Sequence, residues 1–273
     1  SRIRKTAKTN CCKLVSGLLL VFACLPATAI VIRHDRSDAS YVVDARQFPQ
    51  LFFLHTRDQH RVCIATLISA RWAITAGHCI DDTPIRSTLA NNARYELQLD
   101  GQSFNITQLV MHPDYQNGKL LHGVDLALIQ LDRDVTGVTP VMLNKSTDEA
   151  AKVAILLGWG YTGTGTSGRI NNDGKFRRAE NTVDSASLWL QFSFDDPRVP
   201  NSTALSLEGV PGLGDSGGPA LFESEQGYYL LGVAIGELER EDAAVRQGVY
   251  GATEVYERIS QHLDWIEFTI GLD

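Results

Sequence analysis

The feature that most restricts the fold of this chain is the recurrence of apolar side chains at every second position, in short segments separated by turn residues. Residues 94–100 (RYELQLD) and 188–194 (LWLQFSF) alternate in this way. Alternation is typical of strands with one buried face, whereas the more continuous apolar runs at 50–56, 151–158 and 228–236 are typical of deeply buried strands. Many short strands with turns between them predict an all-β barrel or sandwich.

Two segments depart from this pattern. Residues 160–175 are rich in glycine, asparagine, serine and threonine, which predicts an exposed loop. Near the C terminus the apolar residues recur every three or four positions, and Thr253 is placed to cap a helix; these residues are Val255, Ile259, Leu263, Ile266 and Ile270. We therefore expect one terminal helix.

The first 29 residues differ in character from the rest of the chain. Basic side chains come first, then the apolar run 14–25, then the small residues 27–29. This order is typical of a secretory signal peptide, so we expect cleavage after Ala29 and secretion into an extracellular or periplasmic space. The alternatives are a transmembrane helix, for which an apolar run of about a dozen residues is short, and lipid attachment at Cys24.

The charge balance bears on the partners of the protein. The formal net charge is −7, and loss of the five basic residues of the leader would take it to −12. Contacts with phosphates require clustered lysine and arginine. We therefore expect no nucleic-acid partner and no stable membrane association after signal cleavage; the sequence carries no indication of an oligomeric state.

The cysteines divide between the leader and the remaining chain. Cys11, Cys12 and Cys24 lie in the leader, which leaves Cys63 and Cys79. In an exported protein, two cysteines are expected to form a disulfide, with two buried free thiols as the alternative. A zinc site is disfavoured because no second close pair of Cys or His accompanies them at ligand spacing.

A glycine-rich segment at 212–220 (GLGDSGGPA) surrounds Ser216. A serine hydroxyl becomes a strong nucleophile only when a base takes its proton and donors stabilise the developing oxyanion. Glycines on both sides allow the amides of Gly214 and Ser216 to converge on one oxyanion. Taken alone, such a segment is more often a turn than a catalytic site.

A base and a carboxylate are available earlier in the chain. His78 follows an apolar segment that ends in small residues, and it directly precedes Cys79. Asp125 stands between Val124 and Leu126 at the start of an apolar segment, where a carboxylate is costly to bury unless it is paired. A buried carboxylate can fix the tautomer of an imidazole and stabilise its charged form. The three residues are therefore candidates for a Ser-His-Asp triad.

Three segments, in this order, resemble the catalytic motifs of the chymotrypsin-like serine proteases: TAGHC at 75–79, DLALI at 125–129 and GDSGGP at 214–219. HPDY, GWG, GVYG and the C-terminal helix also fall where that family has similar segments, so the resemblance covers nearly the whole chain after the leader.

The resemblance implies a fold and an activity. The fold is two packed antiparallel six-stranded β-barrels with a C-terminal helix, with His78 and Asp125 in a barrel of residues 30–140 and Ser216 in a barrel of residues 141–273. The implied activity is a secreted serine endopeptidase that acts on protein or peptide substrates through an acyl-enzyme, with no metal or organic cofactor. The alternatives are a catalytically silent homologue that serves as a binding module, and an esterase that uses the same triad.

The chain departs from the family at its activation sequence. Family members become active when a new amino-terminal Ile or Val pairs with the Asp that precedes the catalytic Ser. No Arg or Lys followed by IVGG is present, but cleavage after Ala29 would expose Ile30. We therefore expect Ile30 to meet Asp215, with a terminus nearer Tyr41 as the alternative.

The chain also departs from the family at the primary specificity pocket. The resemblance puts Val210 at the base of this pocket and makes Ile235, Gly236 and Glu237 its wall. An apolar base favours apolar substrate side chains, whereas acidic residues near Glu237 could attract cationic ones.

Overall fold

The computed structural model describes residues 29–116, 123–242 and 244–271. Apart from Ala29, the predicted leader lies outside the described residues, as do Cys11, Cys12 and Cys24. In these described ranges, no helix combines the length and the apolar character needed to cross a membrane.

The secondary structure consists mainly of short strands. In chain order the strands are β1 Val31–Ile32, β2 Leu51–His55, β3 Arg61–Leu67, β4 Trp72–Thr75, β5 Glu96–Leu99, β6 Gln102–Met111, β7 Ala127–Leu131, β8 Met142–Leu143, β9 Val153–Gly158, β10 Thr162–Thr164, β11 Gly168–Asn171, β12 Arg177–Thr182, β13 Ser185–Ala186, β14 Trp189–Ser193, β15 Gly209–Val210, β16 Pro219–Ser224, β17 Gly227–Glu237 and β18 Thr253–Arg258. The α-helices are α1 Gly77–Asp81, α2 Ile85–Ala90 and α3 Leu263–Ile270, and single 3₁₀ turns occur at Asp38–Ser40, Ala45–Gln47 and Ile259–Gln261.

The first barrel is a six-stranded antiparallel sheet in the order β2-β3-β4-β7-β6-β5. Its first and last strands also contact each other, which closes the sheet. In β5 the side chains of Leu97 and Leu99 are buried while those of Glu96 and Gln98 are exposed. The alternation in the sequence therefore orients this strand, because only its apolar face enters the core.

The second barrel-like sheet has the order β12-β9-β16-β17-β18-β14-β13, and β8 also pairs with β17. The prediction of an all-β protein with two barrels and a C-terminal helix is confirmed. The first barrel has the expected six strands, whereas the second sheet has eight because the two-residue strands β8 and β13 join it.

A small third sheet, in the order β11-β10-β1-β15, contains the start of the described chain. Here the structure differs from two expectations. Strand β1, expected with the first barrel, pairs instead with β10 and β15 from the later part of the chain. The segment 160–175, expected to be a loop, contains β10 and β11. Strand β10 provides the hydrogen-bonding partners that the backbone groups of β1 require.

The terminal helix begins later than its apolar spacing predicts. Residues Thr253–Arg258 form β18, paired with β14 and β17, and the helix runs only from Leu263 to Ile270. The prediction that Thr253 caps a helix is wrong. Val255 is buried within a sheet, not within a helix. Burial requires an apolar side chain at this position in either structure, so the apolar spacing alone did not distinguish a strand from a helix.

Cys63 and Cys79 are joined by a disulfide that ties β3 to the start of α1. Closing a loop of this length, with a sequence separation of 16, stabilises a protein by about 3 kcal/mol, mainly by restricting the unfolded chain.

We expect Cys63→Ser to lower the free energy of unfolding by about that amount. Denaturant unfolding checks this, and the double variant Cys63→Ser/Cys79→Ser should lose no more than the single one; an unchanged unfolding midpoint would contradict it.

Candidate active site

His78 lies in the first turn of α1, directly after the buried strand β4. Its Nδ1 is 2.6 Å from Oδ2 of Asp125, and its backbone N–H donates to Oδ1 of the same carboxylate at 2.7 Å. Both oxygens of the Asp125 carboxylate thus accept hydrogen bonds from the same residue, His78. This arrangement fixes the imidazole in the orientation that leaves Nε2 directed away from Asp125.

The environment of His78 favours its protonated form. Burial of the imidazole acts to lower its pKa, but the hydrogen bond and charge of Asp125 outweigh burial and the pKa is raised. More distant contributions in the same direction come from Asp82 and Asp81. An imidazole with these properties is able to accept a proton from a nearby hydroxyl.

The turn that contains Ser216 packs against the strand end that leads to His78. The Ile64 N–H donates to the Ser216 carbonyl oxygen at 2.8 Å. A Cβ atom at Gly217 would overlap the Ile64 carbonyl oxygen and the Thr75 hydroxyl, so the two barrels approach this closely only because residue 217 is glycine. Ser216 is half-buried at this junction.

The amides of the same turn have different roles. Asp215 N–H donates to the Gly212 carbonyl and Gly217 N–H donates to the Ala234 carbonyl. The amides of Gly214 and Ser216, the predicted oxyanion donors, have no acceptor within the described residues. Gly214 has φ +92°, a conformation that glycine adopts without strain.

Asp215 is fully buried beside the predicted new terminus. Its carboxylate accepts backbone N–H donors from Gly160 at 2.6 Å, Gly212 at 2.8 Å and Ile30 at 3.3 Å. Burial outweighs these donors and raises the pKa of Asp215 to about 6. Ile30, which has φ +57°, is buried in a small cluster with Ile32 and Tyr41. The structure therefore brings Ile30 and Asp215 together while Ile30 is still joined to Ala29.

The residues predicted for the specificity pocket lie on strands of two different sheets, Val210 on β15 and Ile235, Gly236 and Glu237 on β17. Val210 is fully buried among Val31, Phe194 and Ala252, and it pairs with Val31 across β1 and β15. Ile235 is also buried, whereas the adjacent Gly236 is half-buried.

Glu237 does not present its charge to solvent. Its side chain is 3% exposed, with Oε2 3.4 Å from Nη2 of Arg169 and accepting the Gly248 N–H at 2.9 Å. The same Arg169 Nη2 lies 2.8 Å from Oε1 of Glu254, whose side chain is 2% exposed. Glu237 therefore belongs to a buried ion-pair cluster, and the expectation that it attracts cationic substrates is not supported by its position.

The Glu254 carboxyl is expected to make stability depend on pH. Burial, together with the neighbouring Glu237, outweighs the attraction of Arg169 and raises its pKa from 4.5 to about 8. The folded state therefore binds a proton that the unfolded state releases, so its stability should fall as pH rises from about 4.5 to about 8.

Glu254→Gln should remove this dependence. The stability of the variant relative to the parent protein should increase across the same window, by on the order of a few kcal/mol. Urea unfolding at several pH values measures this, with the exposed Glu239→Gln as the control. A constant difference between Glu254→Gln and the parent protein would contradict the prediction.

Among the residues that the structure describes, one group of side chains has atoms close enough to suggest a metal site. The ligand atoms of Cys63, His78 and Cys79 lie within 4.8 Å of one another. The two sulfur atoms are bonded to each other, so they are not thiolates and cannot act as the usual cysteine ligands.

Sequence reasoning missed three charged residues near this region: the half-buried Arg169 and the buried Glu254 and Glu257. Arg169 comes from the segment expected to be an exposed loop. The other two lie in 253–258 (TEVYER), where the apolar spacing predicts a helix. A period-two interpretation of that segment would have placed its acidic side chains on buried strand faces, where each requires a partner.

Comparison with known proteins agrees with this architecture. The trypsin family model matches residues 40–266. The chain is 26% identical over 234 residues to phenoloxidase-activating factor 3 of Holotrichia diomphalia, covering 75% of this chain and 63% of that protein. It is 24% identical over 284 residues to serine protease 28 of Mus musculus, covering 91% and 97% respectively.

A solved structure has the same fold. The mouse protein described as neuropsin, a serine protease expressed in the limbic system of mouse brain, superimposes with a TM-score of 0.64 at 21% identity. The match covers 84% of this chain and 98% of that one. Since the family model spans most of the sequence, the chain belongs to the trypsin family of serine proteases.

Proposed function

We propose that the protein is a secreted serine endopeptidase in which Ser216, His78 and Asp125 form the catalytic triad. The observation that carries the proposal is the pair of hydrogen bonds that the Asp125 carboxylate accepts from the Nδ1 and the backbone N–H of His78, at 2.6 and 2.7 Å. A binding module would not need a buried carboxylate to orient a partly exposed imidazole.

The proposed reaction follows from the roles of these groups. His78 Nε2 takes the proton of the Ser216 hydroxyl as its oxygen attacks the peptide carbonyl, and Asp125 stabilises the resulting imidazolium. The amides of Gly214 and Ser216 donate to the oxyanion of the tetrahedral intermediate. His78 then returns the proton to the leaving amine as the C–N bond breaks, and a water molecule activated by the same imidazole hydrolyses the acyl-enzyme.

The proposed substrate is a protein or peptide, and no cofactor takes part in these steps. Val210, Ile235, Gly236 and Glu237 are proposed to form the primary specificity pocket. The pairing of Glu237 with Arg169 favours apolar over cationic substrate side chains.

We further propose that signal cleavage after Ala29 activates the exported enzyme. It would convert the Ile30 amide into an ammonium group at the position where Ile30 N already lies 3.3 Å from Asp215. An ammonium group would supply the positive charge that the buried Asp215 carboxylate lacks.

The test is intact-mass analysis of the exported protein before and after reaction with a fluorophosphonate probe. A single adduct on a chain that begins at Ile30, absent from Ser216→Ala, is the expected result. Peptide and ester substrates assayed in parallel distinguish an endopeptidase from an esterase. Failure of a chain beginning at Ile30 to react would overturn the proposal in favour of a catalytically silent homologue.

A further inference from the structure

The orientation of the Asp125 carboxylate depends on how its backbone is held. Each oxygen of the Asp125 carboxylate accepts one hydrogen bond from His78, and within the described residues no other donor anchors it. The anchor is instead the Asp125 backbone N–H, which donates to Oε1 of Glu257 at 2.8 Å. Any shift of this backbone would move the carboxylate relative to the imidazole.

Glu257 belongs to the other half of the molecule. It lies in β18, where it pairs with Val233 of β17, and Val233 pairs in turn with Pro219 at the start of β16. Pro219 lies three residues after Ser216. The sheet that carries Ser216 therefore also carries the carboxylate that holds Asp125 of the first barrel.

Glu257 is itself held in place. It is 2% exposed, and its Oε2 lies 3.6 Å from Nε2 of His262. The His262 ring meets the His112 ring edge-on at 5.0 Å, and the His112 backbone N–H donates to the carbonyl oxygen of Leu126. This series of contacts runs from Asp125 through Glu257, His262 and His112 to Leu126, the residue that follows Asp125 in the chain. The backbone is therefore held both at Asp125 and at the residue after it.

Within the described residues, the titratable groups in contact with Glu257 are His262, through its ring, and Asp125, through its backbone N–H. The His112 ring lies behind His262. Burial and the neighbouring His262 lower the pKa of His112 to about 4, so this ring is neutral at neutral pH. A buried carboxylate that accepts a backbone N–H and contacts an imidazole has a defined orientation.

We propose that Glu257 is a positioning residue: it fixes the Asp125 backbone across the interface of the two barrels and so holds the Asp125–His78 pair in register with Ser216. The inference rests on the proposed function, because the alignment matters for catalysis only if the triad operates. Glu257 touches neither substrate nor the reacting atoms. Glu257 acts by accepting the hydrogen bond from the Asp125 backbone N–H, and it takes no part in a proton transfer.

The experiment compares Glu257→Ala, which removes the acceptor, with Glu257→Gln, which keeps an oxygen at that position. Glu208→Ala is the matched control, because Glu208 is also buried and accepts the backbone N–H groups of Leu205 and Asp195 at 2.7 Å, away from the triad. All chains begin at Ile30. The readouts are kcat and KM for a peptide substrate and the NMR signal of the His78 Nδ1–H proton, identified by its absence from His78→Ala.

The expected result is a loss in kcat of about 10- to 100-fold for Glu257→Ala, with KM changed by less than about threefold. The His78 proton, deshielded by its short hydrogen bond to Asp125, should shift upfield or broaden. Glu257→Gln should restore the signal and keep kcat within about fivefold of the parent protein, and Glu208→Ala should leave both unchanged even where it lowers the melting temperature.

Two other outcomes are informative. If Glu257→Ala loses stability as Glu208→Ala does but keeps kcat and the His78 signal, Glu257 is only structural and the inference is overturned. If the parent protein hydrolyses no peptide yet shows the His78 signal, and Glu257→Ala abolishes that signal, the proposed function fails while the positioning role is supported.

Discussion

Ser216→Ala is expected to lower kcat for peptide hydrolysis by on the order of 10⁶-fold, the loss found when the nucleophile of a Ser-His-Asp triad is removed. Without the hydroxyl there is no acyl-enzyme, and only the oxyanion donors and substrate binding remain to accelerate direct attack by water. The measurement is kcat on a chromogenic peptide with the chain beginning at Ile30, and the exposed Ser206→Ala is the control.

His78→Ala should cost about as much as Ser216→Ala, and the double variant should cost no more than either single one, because the two groups act as one unit. Additive losses in the double variant would contradict a shared mechanism. Residual activity of Ser216→Ala within about tenfold of the parent protein would exclude Ser216 as the nucleophile.

Asp125→Asn tests the role of Asp125, the third member of the proposed triad, as a hydrogen-bond acceptor. The Asp125 carboxylate accepts from two donors, the His78 backbone N–H and the His78 ring. An asparagine side chain has only one acceptor oxygen, so its NH₂ group must face one of those donors or force the imidazole into the other tautomer. We expect kcat to fall by about 10⁴-fold at neutral pH.

A chain that begins at Ala29 is expected to be about 10²- to 10⁴-fold less active than one that begins at Ile30. Asp215 is fully buried and accepts only backbone N–H donors in the uncut chain, and its pKa is raised to about 6. Removal of one partner of a buried ion pair costs about 3–5 kcal/mol, which corresponds to this range. The measurement is kcat/KM on the two chains after intact mass has verified each terminus.

Asp215→Asn supplies the control for this prediction. It should reduce the chain beginning at Ile30 to the activity of the chain beginning at Ala29, and it should have little further effect on the latter. The activity of the Ile30 chain should also fall as pH rises above about 8, where an α-amino group loses its charge. Equal activity of the two chains, or a fully active protein that begins well after Ile30, would rule out activation by this pair.

Much of the fold follows from local sequence patterns. The alternation in 94–100 predicts β5, and that in 188–194 predicts β14, because each strand has one face in a core and one outside it. The three motifs shared with the serine proteases single out His78, Asp125 and Ser216. Their residue types alone would not indicate a catalytic site.

Other features depend on contacts between distant segments. Val255 and Leu263 have helical spacing, yet the first lies in a sheet and only the second in the helix, because pairing with β14 and β17 determines the conformation of 253–258. The partner of Glu257 is 132 positions away in the chain. No local pattern encodes such a contact, so the anchor proposed for Asp125 could be identified only from the structure.

The φ angle of +57° at Ile30 also has an energetic consequence for precursor processing. A β-branched residue in this region is strained by about 1–3 kcal/mol, because its Cβ crowds the backbone. The angle exists only while a carbonyl carbon precedes Ile30 N. Hydrolysis of that bond, as proposed, would abolish the torsion altogether, so a chain that begins at Ile30 would keep the buried Ile30 side chain without the conformational penalty. The cleaved product would therefore hold its first residue more tightly than the uncut chain can.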